Sequence, residues 1–264
     1  MARYTIEGGQ AGHARLNVLA EVMRPATTSL LAAVSVPAGG RCLDVGCGGG
    51  HVSRELARLV GPTGSVVGID FDPEILKLAR SDAREHGVAT IDFRVGDANA
   101  LPEGPYDVAY ARFLLSHVDD PGAVVRSMAR ALAPSGVAIV EDIDFTGSFC
   151  YPESAAYQRH VELYRETVRR RGGNADIGPI LPALLRAAGL QAIQVRVVQP
   201  AALQGEGKLV AYLTLERIAQ AITDEGVATS EEVQKVLEEL LTFTNDTTTL
   251  VSLPRIVQAW GYAL

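Results

Sequence analysis

The sequence predicts an α/β protein, a mostly parallel sheet covered by helices on both faces. Three observations predict it. Short apolar runs alternate with segments of helical periodicity, as parallel strands joined by crossovers require. A glycine-rich turn, Gly46-Cys47-Gly48-Gly49-Gly50, joins the first run to a helical segment. Asp44, Asp70 and Asp97 stand at the ends of the first three runs.

The elements follow in order. Residues 10–35 read as helical, with Leu16, Leu19, Ala20 and Met23 on one face and Pro25 opening a second helix. Strand one spans about 41–46, and a helix over 50–60 carries Val52, Leu56, Leu59 and Val60. Strand two is 65–70. Asp72 then caps a helix with Pro73 as its first residue and Ile75, Leu76 and Ala79 toward the sheet. Strands at 91–95 and 106–111 precede a helix that begins at Asp120-Pro121 and carries Val124, Val125 and Met128. Strand five is 136–142. Helices follow over 152–171 and 180–188, closing at Gly189, then strand six at 191–198. Leu209, Leu213, Ile218 and Ile222 mark one further helix, and the capping-box pair Thr229 and Glu232 opens another. A last strand-like stretch covers 249–261.

Bulk properties narrow the class. The chain has 264 residues, 47% hydrophobic and 21% charged, which suits one elaborated α/β domain with a large core. A formal net charge of −7 disfavours nucleic acid and anionic membrane as partners. The one dense basic strip, Arg169-Arg170-Arg171, reads first as a solvated helix end. Three cysteines without metal spacing, and no signal peptide, argue for a reduced cytoplasm. No apolar run approaches the roughly 20 residues of a membrane span.

Glycines at 46, 48 and 50 let backbone amides approach a ligand that a Cβ would block. The three acidic strand ends suit a ligand with an amino group, a ribose and an adenine. On these residues the chain resembles the class I S-adenosylmethionine-dependent methyltransferases of the small-molecule type, most closely over 37–145. The resemblance implies a Rossmann-like, doubly wound, mostly parallel seven-stranded sheet, with an N-terminal helical arm and a helical insertion before the last strand. One domain then spans 1–264: arm 1–36, cofactor-binding core 37–204, insertion 205–246 and last strand 247–264. The insertion reads as a lid over the ligand cleft, with core and dimer face as the alternatives.

The resemblance also implies roles. S-adenosylmethionine is the cofactor and S-adenosylhomocysteine its product. Asp44 lies near the methionine amine, and Gly46, Cys47 and Gly48 run along the methionyl and ribose parts. Asp70 accepts from both ribose hydroxyls, and Phe71 packs on adenine. Asp97 and the Ala98 amide meet the adenine edge, while Ala111 and Arg112 line the methionine side. Arg15 pairs with the cofactor carboxylate or is a surface arginine, and Tyr4 covers the donor or simply packs. The rival dinucleotide fingerprint Gly-x-Gly-x-x-Gly fails at His51, which stands where its third glycine belongs.

Methyl transfer from a sulfonium needs alignment and water exclusion, and a base only when the acceptor carries a proton. His117 is the candidate catalytic base, with capping or packing as its alternative. Glu141, Asp142 and Asp144 are candidates for amine binding or proton transfer, and Tyr151, Tyr157 and His160 for the pocket wall. No Asn-Pro-Pro-Tyr run follows strand four, and the cysteine set of arsenite methylation is absent. The expectation is methyl transfer to an O, N or C atom of a small organic acceptor, without metal. The alternatives are a protein or RNA methyltransferase and a non-catalytic cofactor-binding regulator. The apolar C-terminal helices leave a homodimer open.

Overall fold

The computed structural model describes Ile6 and residues 9–264. In chain order the elements begin with α1 (Gly9–Val34), β1 (Arg41–Val45), α2 (His51–Val60), β2 (Ser65–Asp70), α3 (Pro73–Glu85) and β3 (Ile91–Val95). They continue with β4 (Tyr106–Arg112), α4 (Pro121–Ala131), β5 (Leu132–Asp144), β6 (Cys150–Tyr151), α5 (Ala155–Arg170) and α6 (Leu181–Ala187). The last are β7 (Gln191–Val198), β8 (Ala201–Ala202), α7 (Val210–Asp224), α8 (Ser230–Asn245), β9 (Leu250–Ser252) and β10 (Arg255–Tyr262).

Seven strands form the main sheet in the order β3-β2-β1-β4-β5-β10-β7. The first five run parallel, and β10 lies antiparallel between β5 and β7. This is the Rossmann-like, mostly parallel seven-stranded sheet that the resemblance implies. Cys42, Leu43 and Val45 are fully buried, because helices cover the sheet on both faces. On one face α4 and α6 bury Val124, Val125, Met128, Leu181 and Leu185. On the other α1 and α2 bury Leu30, Leu31, Leu56 and Val60. Local chemistry sets the helix starts. Asp72 accepts the Glu74 amide at 2.8 Å, Asp120 the Ala123 amide at 2.8 Å, and Thr229 the Glu232 amide at 3.2 Å.

The structure departs from expectation in three places. Residues 9–34 form one helix rather than two, with Pro25 inside it. Proline removes one intrahelical bond, but Pro25 is exposed and Met23 and Leu30 beside it are fully buried, so packing on one continuous stripe outweighs the loss. The C-terminal stretch is two strands, interrupted at Leu253-Pro254. A second sheet, in the order β6-β9-β8, was not anticipated. Its short strands pair residues about fifty to a hundred positions apart, a separation no local pattern signals.

Helices α7 and α8 do not present their apolar faces outward. Leu215, Ile218, Ile222, Val236 and Leu240 pack with Leu163, Tyr164 and Val168 of α5 into a second core. Those apolar stripes are covered within the chain.

Candidate functional site

The carboxyl ends of β1, β2, β4 and β5 converge on a cavity of about 130 Å³. Gly46 and Gly48 hold φ of 70° and 50°, which glycine adopts without strain, and so bend the chain from β1 toward α2. Gly46 and Cys47 donate their amides to the Ile69 carbonyl at 2.8 and 2.9 Å, locking the turn to β2. Asp70 accepts the Gly48 amide at 2.9 Å and the Asp72 amide at 3.0 Å. Its pKa is raised, burial outweighing those two bonds. Asp44 is 2% exposed and accepts the Ser53 hydroxyl at 2.5 Å. Burial pushes its pKa up to about 6. Cys47 is buried, and burial and the two nearby carboxylates raise its thiol well above the usual range, so it packs as a neutral small side chain.

The opposite wall holds the proton-bearing groups. Residues 115–117 form a short 3-10 turn after β4. The buried Asp142 carboxylate holds the turn by accepting the Ser116 amide at 3.1 Å. His117 is 7% exposed, with Nε2 3.5 Å from the Tyr164 hydroxyl. Burial, and then the Arg15 charge, lower its pKa to about 4, so the ring is neutral at pH 7. Tyr164 stacks on Phe145, with centroids 4.2 Å apart and 13° between planes. Ile143, Val210, Leu253, Pro254 and Ile256 complete an apolar lining. Over the top, Arg15 of α1 donates Nε to Thr214 Oγ1 of α7 at 3.0 Å.

Eight of the sequence-predicted residues therefore share one cavity: Arg15, Asp44, Gly46, Cys47, Gly48, Asp70, Arg112 and His117. Phe71, Asp97, Ala98 and Ala111 are not on its wall. Phe71 is 60% exposed. Asp97 is exposed and accepts the Asn99 amide at 2.8 Å, in a local turn. Ala98 packs against the α4-side core, and the Ala111 side chain is buried within it. Tyr4 lies outside the described residues. Arg112 donates to Thr27 at 3.0 Å and stands 3.9 Å from Glu141, at the cavity's edge.

The three carboxylates at the end of β5 have structural partners and do not line the cavity. Glu141 accepts from Gln258, Asp142 holds the Ser116 turn, and Asp144 pairs with Arg255 at 2.5 Å. Tyr157 donates to the Ser252 carbonyl at 2.8 Å, and His160 is buried behind Phe145. The basic run is also matched: Arg169 and Arg170 meet Glu166 at 2.6 and 2.8 Å, and Arg171 meets Glu225 at 3.1 Å. Phe113, Phe145, Tyr164 and Thr214 line the cavity without any local sequence signal, because α5 and α7 bring two of them from far along the chain.

A larger groove of about 660 Å³ lies between α1 and α2. Of its four arginines, Arg24 pairs with Glu21, Arg58 with Glu55 and Arg54 with Asp82, and Arg112 is shared with the smaller cavity. It lacks the glycine backbone and convergent carboxylates of the smaller cavity. The methyl donor fits the smaller site on two counts. The cradle at Gly46 and Gly48 has a backbone that side-chain-bearing residues rarely adopt. The carboxylates there, buried Asp44 and half-buried Asp70, can also accept from an amine and from ribose hydroxyls.

Comparison with known proteins agrees with this geometry. The family model described as a methyltransferase domain matches residues 37–181. The ubiquinone biosynthesis O-methyltransferase of Xanthomonas axonopodis pv. citri (strain 306) is 38% identical over 127 residues, covering 47% of this chain and 52% of the relative. The ubiquinone biosynthesis O-methyltransferase of Xylella fastidiosa (strain M23) is 31% identical over 203 residues, covering 73% and 78%. The chain spans about half the length of the first of these curated relatives. In fold it is similar to phospholethanolamine N-methyltransferase 2 of Haemonchus contortus, solved with phosphomonomethylethanolamine and S-adenosylhomocysteine. That match has a TM-score of 0.58 at 17% identity, over 95% of this chain and 58% of that one. With its glycine turn, its acidic strand ends and its sheet order in place, the chain belongs to the methyltransferase-domain family of class I S-adenosylmethionine-dependent methyltransferases.

Proposed function

We propose that the protein methylates a hydroxyl group of a small aromatic or enolic molecule, in the cytoplasm. The observation that carries this reading is that His117 and Tyr164 share one apolar cavity with the glycine turn, Asp44 and Asp70. The O-methyltransferase names of the two curated relatives support the choice of oxygen. Three free cysteines, two of them buried, suit a reducing compartment.

Bound at the glycine turn, S-adenosylmethionine supplies an electrophilic methyl group on a sulfonium. Asp70 would accept the ribose hydroxyls and Asp44 would meet the amine. His117 orients the acceptor hydroxyl, which takes the place of the Tyr164 hydroxyl at Nε2. Because burial and Arg15 hold its pKa near 4, it takes the proton late, as the acceptor oxygen loses electron density. Before the acceptor enters, Tyr164 holds the imidazole at that nitrogen. The apolar lining excludes water. The cavity of about 130 Å³ is smaller than the roughly 300–1,000 Å³ of sites that hold drug-sized ligands. Segment 205–246 therefore acts as a lid that parts from α1 at Arg15–Thr214 to admit ligands.

The test begins with calorimetric titration by S-adenosylhomocysteine, with a nicotinamide dinucleotide as control. Micromolar binding of the first alone is expected, and binding of the dinucleotide instead sinks the reading. Asp70→Ala should weaken binding about 10- to 100-fold through loss of charged hydrogen bonds. Methyl transfer from S-adenosylmethionine to a panel of phenols, amines and carbon acids, read by mass spectrometry, should favour phenols. His117→Ala should slow that transfer about 10²- to 10⁴-fold while leaving cofactor affinity unchanged.

A further inference from the structure

Phe113 has a φ of 55°, in the left-handed region. Among the described residues Ser35, Ser135 and Ala192 share that sign without being glycine, and none of them lines the cavity. The bend has a clear cause. Phe113 donates its amide to the Glu141 carbonyl at 2.8 Å, extending the register of β4 with β5 by one residue. Leu114 then turns to φ −106° and ψ −48°, and the His117 amide closes on the Leu114 carbonyl at 3.0 Å. One left-handed residue thus converts a strand into the turn that carries His117.

Glycine or asparagine would make this bend at less cost. The phenyl ring is not needed for it, and a strained side chain at a cavity points to a role for that side chain. The ring lines the cavity and packs on two clusters at once, one holding Phe145 and Tyr164, the other holding Leu19 and Val210. Arg112 stands 5.6 Å from its centroid. Its neighbours are thus a cofactor-side residue, Arg112, and the residues of the apolar wall.

We propose that Phe113 is a specificity-determining residue of the acceptor site. Its ring, with the Phe145–Tyr164 stack, forms an aromatic wall that selects a flat aromatic hydroxyl compound over a puckered saturated one of the same size. The selection follows from ring geometry, since offset-stacked and edge-to-face contacts need a planar partner. The inference rests on the acceptor reading above.

The test uses protein saturated with S-adenosylhomocysteine and two probes, 2-naphthol and its saturated analogue decahydro-2-naphthol. Calorimetry on the unaltered protein should show 2-naphthol binding about tenfold or more tighter. Phe113→Gly and Phe113→Leu should lower that preference to about twofold or less, with S-adenosylhomocysteine affinity within about twofold. Phe113→Leu keeps the apolar volume and guards against simple misfolding. Phe113→Gly should melt about 2–4 °C above Phe113→Ala, because glycine relieves the left-handed backbone. Retained preference in both variants overturns the assignment of Phe113 while the acceptor reading stands. Absence of any preference in the unaltered protein overturns the aromatic wall. Failure of S-adenosylhomocysteine to bind overturns the underlying reading of the site.

Discussion

Burial in this molecule moves acids and bases in opposite directions, and the pH dependence of stability follows residue by residue. His160 is 3% exposed, with its ring 6.2 Å from Phe145 and 5.9 Å from Tyr157, and burial lowers its pKa to about 4. Unfolded, it takes a proton near pH 6.5. Its contribution to stability is therefore present above pH 6.5 and lost as pH falls toward 4. His117 behaves likewise, whereas Asp44 and Asp142, raised to about 6, are opposite in sign. Their contribution is present below the unfolded value of 3.8 and lost as pH rises through 6. Replacing His160 by Leu should remove one acid-sensitive group. Urea denaturation should then show the variant gaining about 2 kcal/mol relative to the unaltered protein on going from pH 7 to pH 5. An unchanged difference between the two pH values would mean that His160 titrates normally in the fold. At this scale the helix caps at Asp72, Asp120 and Thr229 were legible, because each acts on an amide two or three residues away. The Arg15–Thr214 bond was not, because 199 positions separate its ends.

Elements are decided by which faces find cover. The helices of 205–246 were visible from periodicity and a capping box, but periodicity names an apolar stripe without naming its partner. In the fold that stripe meets α5, and Leu240, Leu215, Ile218 and Leu163 are all fully buried there. These helices are therefore built on a core of their own with α5, and if they act as the proposed lid, their base should be rigid while their edge at α1 opens. Leu240→Ala should cost about 2–5 kcal/mol of stability in chemical denaturation, as a buried cavity does. Because Leu240 does not line the cavity, S-adenosylhomocysteine affinity should stay within about twofold. A large loss of affinity at unchanged stability would place the helices in the cofactor site itself. The uninterrupted α1 makes the same point in reverse. A proline that normally ends a helix is overridden where its neighbours Met23 and Leu30 share one buried stripe.

At the scale of the whole molecule, the last strand closes the sheet. β10 is antiparallel between β5 and β7, so the main sheet is incomplete until the chain's final residues dock. The single tryptophan, Trp260, lies in that strand at 2% exposure. Refolding followed by tryptophan fluorescence should lag the far-ultraviolet helical signal, because contacts distant in sequence form late. Coincident kinetics would show that β10 docks with the first elements. The cavity depends on the same long-range contacts, since α1, α7 and the turn between β9 and β10 all contribute to its wall.

The sequence by itself determined the parallel core and the glycine turn with its acidic strand ends. Gly46, Gly48, Asp44 and Asp70 act through local backbone geometry and through strand ends that a parallel sheet brings side by side. Tertiary structure alone decided the rest of the cavity wall. It placed Tyr164 beside His117, bent Phe113 into the cavity, gave Asp142 and Asp144 structural partners, and left Phe71 and Asp97 off the cavity wall. The physical reason is separation along the chain. A turn or a cap is specified by residues within one helical turn, whereas a wall assembled from α1, α5, α7 and β10 is specified by packing among segments with no shared pattern.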